Sequence, residues 1–128
     1  MITLTKDQVM LLHKMIYERY GGAYGVLDEG MLDSALQVPF ATYAGEEMIT
    51  GDKEKIVRLA YGLIKDHPFR DGNKRIGALV LLTLLKLNGY PLKTLDNELS
   101  EMIMDIAASR RDDTDLLRWV NRSCEDTM

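Results

Sequence analysis

HPFRDGNKRIGALVLLTLLKL, from His67 to Leu87, places a dense group of polar residues directly before the most apolar segment of the chain. The segment from Ile76 onward is apolar on nearly every side of a helix, which is typical of a helix that other helices pack around. A glycine and a proline follow it as a stop signal. This stretch therefore predicts a central helix that begins near Gly72 and ends near Asn88.

Helical patterns cover most of the remaining chain, and each opens at a polar residue that can begin a helix. Thr5 and Gln8 have the spacing of a capping box. Hydrophobic residues then recur at helical spacing in each segment. The predicted starts of the other helices are, in chain order, Thr5, Asp28, Asp52, Asp96 and Thr114.

These patterns predict one all-α domain over residues 1–128, a compact bundle of about six helices around the central apolar helix. Residues 40–51, FATYAGEEMITG, have no helical stripe. They suit either a plain loop or a short β-hairpin flap that pairs with the backbone of a target protein. No internal repeat or linker divides the chain.

Composition limits the classes of function. The chain has 128 residues, 46% hydrophobic and 28% charged, as expected of one globular domain. Its net charge of -4 argues against a nucleic-acid partner. Cys124 is the single cysteine, so an internal disulfide is excluded. With no secretory signal and no apolar run near the roughly 20 residues of a membrane helix, we expect a cytoplasmic protein without a membrane partner.

The polar residues before the central helix are arranged as a phosphate site. Free backbone N–H groups and the helix dipole favour an anion at a helix N-terminus. Cations oppose that dipole, so two of them in the first turn favour an anionic ligand over a solvated surface. The residues of this predicted phosphate site are Gly72, Asn73, Lys74 and Arg75.

Asp71 and His67 add a candidate metal ligand and a candidate base. A carboxylate facing a polyphosphate suits Mg²⁺, although Asp71 as a simple N-cap is the alternative. A free imidazole, with a pKa of roughly 6.5 in model peptides, can accept a proton from a hydroxyl at neutral pH, which makes His67 a candidate base. It also lies on the apolar stripe of the third predicted helix, so its imidazole is expected at the last turn, pointing to the interior. Together these groups predict phosphoryl or nucleotidyl transfer.

The string H-P-F-R-D-G-N-K-R resembles the signature loop of the Fic/Doc superfamily, whose nucleotidyl-transferring members read H-P-F-x-D/N-G-N-G-R-x-x-R. Lys74 and Ala78 stand where those members have their second glycine and second arginine. Both differences are those of the Doc, or death-on-curing, branch. RYGGAYGVLDEGMLDSAL before the loop and LLKLNG after it are also similar to Doc sequences, so the resemblance spans most of the chain.

The resemblance implies an all-helical toxin of a toxin–antitoxin module. Such toxins use ATP and Mg²⁺ to phosphorylate a Ser/Thr hydroxyl of elongation factor Tu, which halts translation. By matching position it implies that His67 is the general base, that Asp71 is the metal ligand and that Phe69 anchors the loop in the core. Residues 73–75 would hold phosphates, with ATP reversed so that its γ-phosphate meets the hydroxyl. Lys65, outside the motif, is a further candidate phosphate contact.

Self-inhibited members of the superfamily carry a helix that reads S/T-x-x-x-E-G/N. The nearest string here runs from Thr94 to Glu98, but Leu99 follows, so the motif fails. Restraint would then come from a separate antitoxin, whose tail folds into a groove of the toxin.

Two other functions remain open: an AMP transferase acting on a protein hydroxyl, and a noncatalytic helical module that holds an anion. His13 is expected to be a packing or surface residue rather than a catalytic one. Cys124 has no second histidine nearby in sequence and is not expected to be a nucleophile.

Overall fold

The structure, a computed structural model, describes residues 1–93 and 97–124. A 3-10 turn and a two-stranded antiparallel hairpin lie between the second and third helices. The prediction of an all-α bundle with a small hairpin in residues 40–51 is therefore confirmed. In these residues the helices are α1 (Lys6–Tyr20), α2 (Glu29–Gln37), α3 (Asp52–Lys65), α4 (Asn73–Leu87), α5 (Asn97–Ala107) and α6 (Asp113–Ser123), the 3-10 turn is Val38–Phe40, and the strands are β1 (Thr42–Tyr43) and β2 (Glu46–Glu47).

Local capping sets the starts of α1 and α2. The Gln8 backbone N–H donates to the Thr5 hydroxyl at 3.1 Å, and the Thr5 N–H donates to the Gln8 side chain at 2.8 Å. The Asp28 carboxylate accepts from the Met31 N–H at 3.0 Å. These bonds satisfy N–H groups that have no partner within the helix, so both helices begin where the sequence predicts.

α6 begins one residue before the predicted start at Thr114, because Asp112 and Asp115 form a capping box. Each backbone N–H of this pair donates to the other residue's carboxylate at 3.0 Å. The bond from the Asp112 N–H lowers the pKa of the Asp115 carboxyl. The predicted start of the fifth helix, Asp96, lies outside the described residues.

α3 and α4 form the centre of the bundle and share its largest interface. α1 and α5 pack against α4, while α2, α5, α6 and the 3-10 turn pack against α3. The predicted central apolar helix is present as α4, and α3 shares that position. Each fully buried aliphatic side chain contributes roughly 1.5–3 kcal/mol. Side chains of α3 and α4 with no exposed surface include Ile56, Leu63, Ile64, Ile76, Val80, Leu81, Leu84 and Leu85.

The two central helices approach closely at Gly77 on α4. A Cβ atom there would overlap with the Ile64 side chain of α3. This contact fixes the position of the first two turns of α4 relative to the end of α3, which are the elements on either side of the polar loop. Within residues 1–93 and 97–124, none of the helices combines the length and the apolar character that crossing a bilayer requires.

Candidate functional site

A cleft of about 700 Å³ lies between the polar loop with the first turn of α4 on one side and α5 on the other. Its volume is typical of small-molecule sites, which range over roughly 300–1,000 Å³. His67 and residues 70–75 line the first wall. The structure thus brings His67, Asp71 and residues 72–75 to one cavity, although some face it with groups other than those expected.

His67 is exposed and lies outside α3, which ends at Lys65 with Asp66 as its C-cap. Its backbone is left-handed, with φ +49°. The prediction that the imidazole points to the interior at the last helical turn is therefore wrong. The physical reason is Pro68, because a residue before proline is disfavoured in the α conformation and the helix stops short of it. The ring instead lines the cleft.

The polar loop is held by buried contacts on its inner side. Phe69 has 1% of its surface exposed, as expected of the predicted anchor. The Pro68 carbonyl accepts from the N–H groups of Leu27 and Asp28, at 2.8 and 3.1 Å. The Arg70 N–H donates to the Gly25 carbonyl at 3.0 Å. The segment before α2 therefore acts as a backbone clamp on the loop.

The Asn73 side chain braces the same loop rather than facing a ligand. Its Oδ1 accepts from the Phe69 N–H at 2.9 Å, and its Nδ2 donates to the Phe69 carbonyl at 3.0 Å. The residue is 8% exposed. What Asn73 offers to an anion is its backbone N–H in the first turn of α4, since its amide group is engaged by Phe69.

Asp71 is exposed, and its Oδ1 accepts from the adjacent Gly72 N–H at 2.8 Å. Gly72 is the N-cap residue of α4, with φ +77°, and no side chain caps the helix. The alternative interpretation of Asp71 as an N-cap is therefore wrong, because its carboxylate does not reach the N–H groups of the helix. Those groups remain available at the cleft.

The residues at the cleft fit Mg²⁺ that arrives with a polyphosphate. Magnesium usually binds one or two carboxylates together with phosphate oxygens and water. Asp71 supplies one carboxylate beside the first turn of α4. In residues 1–93 and 97–124, no cluster of three or more His, Cys, Asp or Glu side chains could hold a metal by itself. A metal bound by protein groups alone does not fit.

Three cations at the cleft have no acidic partner in the part of the chain that the structure describes. Arg70, Lys74 and Arg75 are exposed, and the ion pairs of the described residues involve other cations. The Arg75 guanidinium lies 4.1 Å from the centre of the Tyr20 ring, a cation–π contact that directs it toward α1. Three unpaired positive charges thus lie at this cleft in a chain whose net charge is -4.

Lys65 does not reach the cleft. Its Nζ is hydrogen-bonded to the Ser109 hydroxyl, at the end of α5. Lys65 is also absent from the residues that line the cavity. Its expected phosphate contact is therefore wrong, because the end of α3 directs the side chain toward the α5–α6 connection.

The opposite wall is an apolar face of α5, which the sequence interpretation missed. Leu99 and Ile103 are each 5% exposed, whereas Met104 is 55% exposed. Ala78 on α4 lies between the two walls, and its small side chain leaves the cleft open. The hydrophobic stripe of α5 was visible in the sequence, but a stripe does not say which helix it faces.

His13 was expected to be a packing or surface residue, and it is 3% exposed. Its ring stacks on Phe69, with centroids 3.8 Å apart and planes 10° apart. Its Nε2 lies 2.7 Å from the Asp71 carbonyl oxygen. α1 therefore contacts the polar loop through the buried His13 side chain. No spacing in the sequence indicates this contact.

Residues 3–85 match a model of the Fic/DOC family. A relative named Toxin Doc, from Mycolicibacterium smegmatis, is 34% identical over 97 residues, which are 75% of this chain and 75% of that protein. The chain belongs to the Fic/DOC family. The Fic/DOC match includes α1, the clamp segment, the polar loop and most of α4, and so contains every residue of the first wall of the cleft.

Proposed function

We propose that this chain is the toxin of a toxin–antitoxin module and acts as an ATP-dependent protein Ser/Thr kinase. The observation that supports it best is that His67 and the uncapped first turn of α4 line one cleft. Phosphoryl transfer needs a group that positions or deprotonates the nucleophile and donors that hold the phosphates. The name of the relative, Toxin Doc, supports the toxin part.

ATP would enter the cleft with its phosphates at α4. The backbone N–H groups of residues 73–75 point along the helix axis toward the anion, and the dipole adds to the attraction. Lys74 and Arg75 add charge-assisted hydrogen bonds, which are stronger than neutral ones. The adenine ring would contact the apolar α5 wall, where the Met104 side chain is exposed.

The chemical step follows from the position of His67. Its neutral imidazole accepts the proton of the Ser/Thr hydroxyl while the hydroxyl oxygen attacks the γ-phosphorus of ATP. The bond from that phosphorus to the bridging oxygen breaks, and ADP leaves. The products are a phosphorylated protein, ADP and a proton. The left-handed backbone of His67 directs its ring away from the core and toward the cleft.

Asp71 would hold Mg²⁺, which when bound neutralises charge on the phosphates. The carboxylate is well placed for this task because one oxygen is held by the Gly72 N–H and the side chain remains exposed at the cleft.

The second candidate is transfer of AMP to a hydroxyl, and two features disfavour it. Lys74 places a bulky cation where the AMP-transferring members have glycine, and Ala78 supplies no guanidinium where they have arginine. The third candidate, a noncatalytic module, leaves the exposed imidazole without a role.

The partners in this proposal are an antitoxin and elongation factor Tu, and the site of action is the cytoplasm. Elongation factor Tu is the target that the resemblance to the Doc branch implies. An antitoxin is expected because the self-inhibitory motif fails at Leu99. Residues 94–96 of the string that fails the motif lie outside the described residues.

A labelling experiment tests the reaction. Elongation factor Tu is incubated with the protein, Mg²⁺ and ATP labelled at either the α- or the γ-phosphate, and then analysed by mass spectrometry. We expect γ-label and an added phosphate. Transfer of α-label with an added AMP would establish the second candidate instead. Growth inhibition that persists undiminished in a folded His67→Ala variant would support the noncatalytic one.

A further inference from the structure

We infer that His13, on α1, is a positioning residue that sets the orientation of the Asp71 carboxylate and so the affinity of the site for Mg²⁺ with ATP. The inference rests on the proposed function, since it concerns the carboxylate that would hold the metal. Nothing about the loop motif itself assigns a role to α1.

The contact is directional. His13 Nε2 lies 2.7 Å from the Asp71 carbonyl oxygen, across 58 residues of chain. A carbonyl oxygen can only accept, so Nε2 must carry the hydrogen. A buried imidazole is costly unless its polar atoms are bonded, and this bond satisfies one of them. If the side chain at position 13 served only to pack against Phe69, an apolar aromatic ring would serve equally well.

The hydrogen bond from His13 affects the Asp71 carboxylate through one planar peptide unit. The Asp71 carbonyl and the Gly72 N–H belong to the same planar trans unit, so they point in opposite directions. When His13 holds the oxygen on the α1 side, the Gly72 N–H is directed to the other side. There it donates to Asp71 Oδ1 at 2.8 Å. A rotated peptide would remove that donor from the carboxylate.

A second contact from the end of α1 limits the other carboxylate oxygen. A Cβ atom at Gly22, where φ is +93°, would overlap with Asp71 Oδ2. The Asp71 side chain therefore lies directly on the Gly22 backbone. Between His13 and Gly22, α1 and its C-terminal turn restrict an exposed side chain that would otherwise sample several rotamers. Groups that orient a metal-binding carboxylate commonly affect metal affinity.

Two substitutions of His13 separate the hydrogen bond from the stacking. His13→Phe keeps an aromatic ring on Phe69 but removes the donor. His13→Gln keeps an N–H donor at similar reach but removes the ring. ATP affinity is measured by calorimetry, once with Mg²⁺ and once with EDTA, on wild type and both variants, with thermal unfolding as the control for folding.

We expect wild type to bind ATP more tightly with Mg²⁺ than with EDTA. His13→Phe should lose about tenfold of that gain while its affinity in EDTA stays unchanged, and His13→Gln should recover most of it. A gain that His13→Phe retains in full would overturn the inference while leaving the proposed function intact. A wild type with no Mg²⁺-dependent gain would refute the proposed metal role of Asp71 and this inference together.

A glycine pair keeps the inference testable if His13→Phe unfolds. Gly22→Ala and Gly89→Ala introduce the same methyl group at positive φ, +93° and +88°, but only at Gly22 would that group meet Asp71. Gly22→Ala should reduce the Mg²⁺-dependent gain, and Gly89→Ala, beyond the far end of α4, should not. Equal gains in the two variants would contradict the positioning of Asp71 from α1.

Discussion

At the scale of single residues, His67 combines a strained backbone with an exposed side chain at the cleft. It has a left-handed backbone, with φ +49°, and its side chain is exposed without a hydrogen-bond partner among the described residues. A non-glycine residue in this conformation is strained by roughly 1–2 kcal/mol. Such strain persists where the surroundings impose it, here the backbone clamp on Pro68.

Two substitutions separate the chemical role of His67 from the strain in its backbone. His67→Asn removes the base but suits a left-handed backbone, and His67→Gly relieves the strain altogether. We expect both variants to lose at least about 100-fold in phosphoryl transfer. Their thermal unfolding temperatures should equal or exceed that of wild type. A variant that folds and keeps wild-type transfer would show that His67 is not the base.

Two residues of the site show why its contacts could not be read from spacing. Asn73 was expected to hold phosphate, but its amide group bonds to the Phe69 backbone. His13 bonds to a carbonyl 58 residues away. Local patterns place a residue on a helix and on a face of it. They do not say which buried donor or acceptor will be within reach once the helices have packed.

At the scale of elements, the N-terminus of α4 carries charges that oppose its own dipole. α1, α2 and α6 begin with a side-chain cap and an acidic residue in the first turn, whereas α4 begins with Gly72 and two cations. An isolated helix of this composition would gain stability from the opposite arrangement. The proposed anionic ligand at this end would explain the arrangement.

Lys74 and Lys86 form a matched pair for this idea, since both are exposed lysines on α4, one in the first turn and one in the last. Lys74→Ala should weaken ATP binding about tenfold, equivalent to one charge-assisted hydrogen bond of roughly 1.5 kcal/mol. It should also raise the thermal unfolding temperature slightly, because a cation leaves the positive end of the dipole. Lys86→Ala should lower that temperature and leave ATP binding unchanged. Equal effects of the two changes on ATP affinity would contradict a phosphate site at the helix start.

A pair of helical glycines, Gly77 and Gly30, tests the close contact between α3 and α4. Gly77→Ala places a methyl group against Ile64, whereas Gly30→Ala, at an exposed position of α2, meets only Asp28 at 3.4 Å. We expect Gly77→Ala to destabilise the fold by roughly 1–3 kcal/mol through overpacking. Gly30→Ala should stabilise it by up to about 1 kcal/mol through helix propensity. Chemical denaturation measures both, and a neutral Gly77→Ala would mean that the central helices can separate without cost.

At the scale of the whole molecule, the local signals of the sequence predicted the helices, and they left the hairpin in residues 40–51 as one of two possibilities. Caps and apolar stripes are local, and the observed starts of α1, α2 and α3 agree with them. The orientation of His67 was predicted wrongly because a stripe was extended past the end of α3, which Pro68 limits. The second wall of the cleft, with Leu99 and Ile103, depends on how α5 packs against α4 and has no local signal.

The polar loop and its cleft depend on contacts from separate parts of the bundle. His13 of α1 contacts the polar loop, residues 25–28 form backbone hydrogen bonds to it, and α5 forms the opposite wall of the cleft. Each support comes from a different part of the chain. The loop is therefore expected to lose its geometry when any one of them is removed.

The central claim is that the first turn of α4 holds the terminal phosphates of ATP beside His67. A crystal structure with a nonhydrolysable ATP analogue and Mg²⁺ tests it most directly. The account predicts the γ-phosphate at the N–H groups of residues 73–75 and next to the His67 ring, with the base against α5. An analogue bound with its α-phosphate beside His67, or bound away from α4, would contradict it.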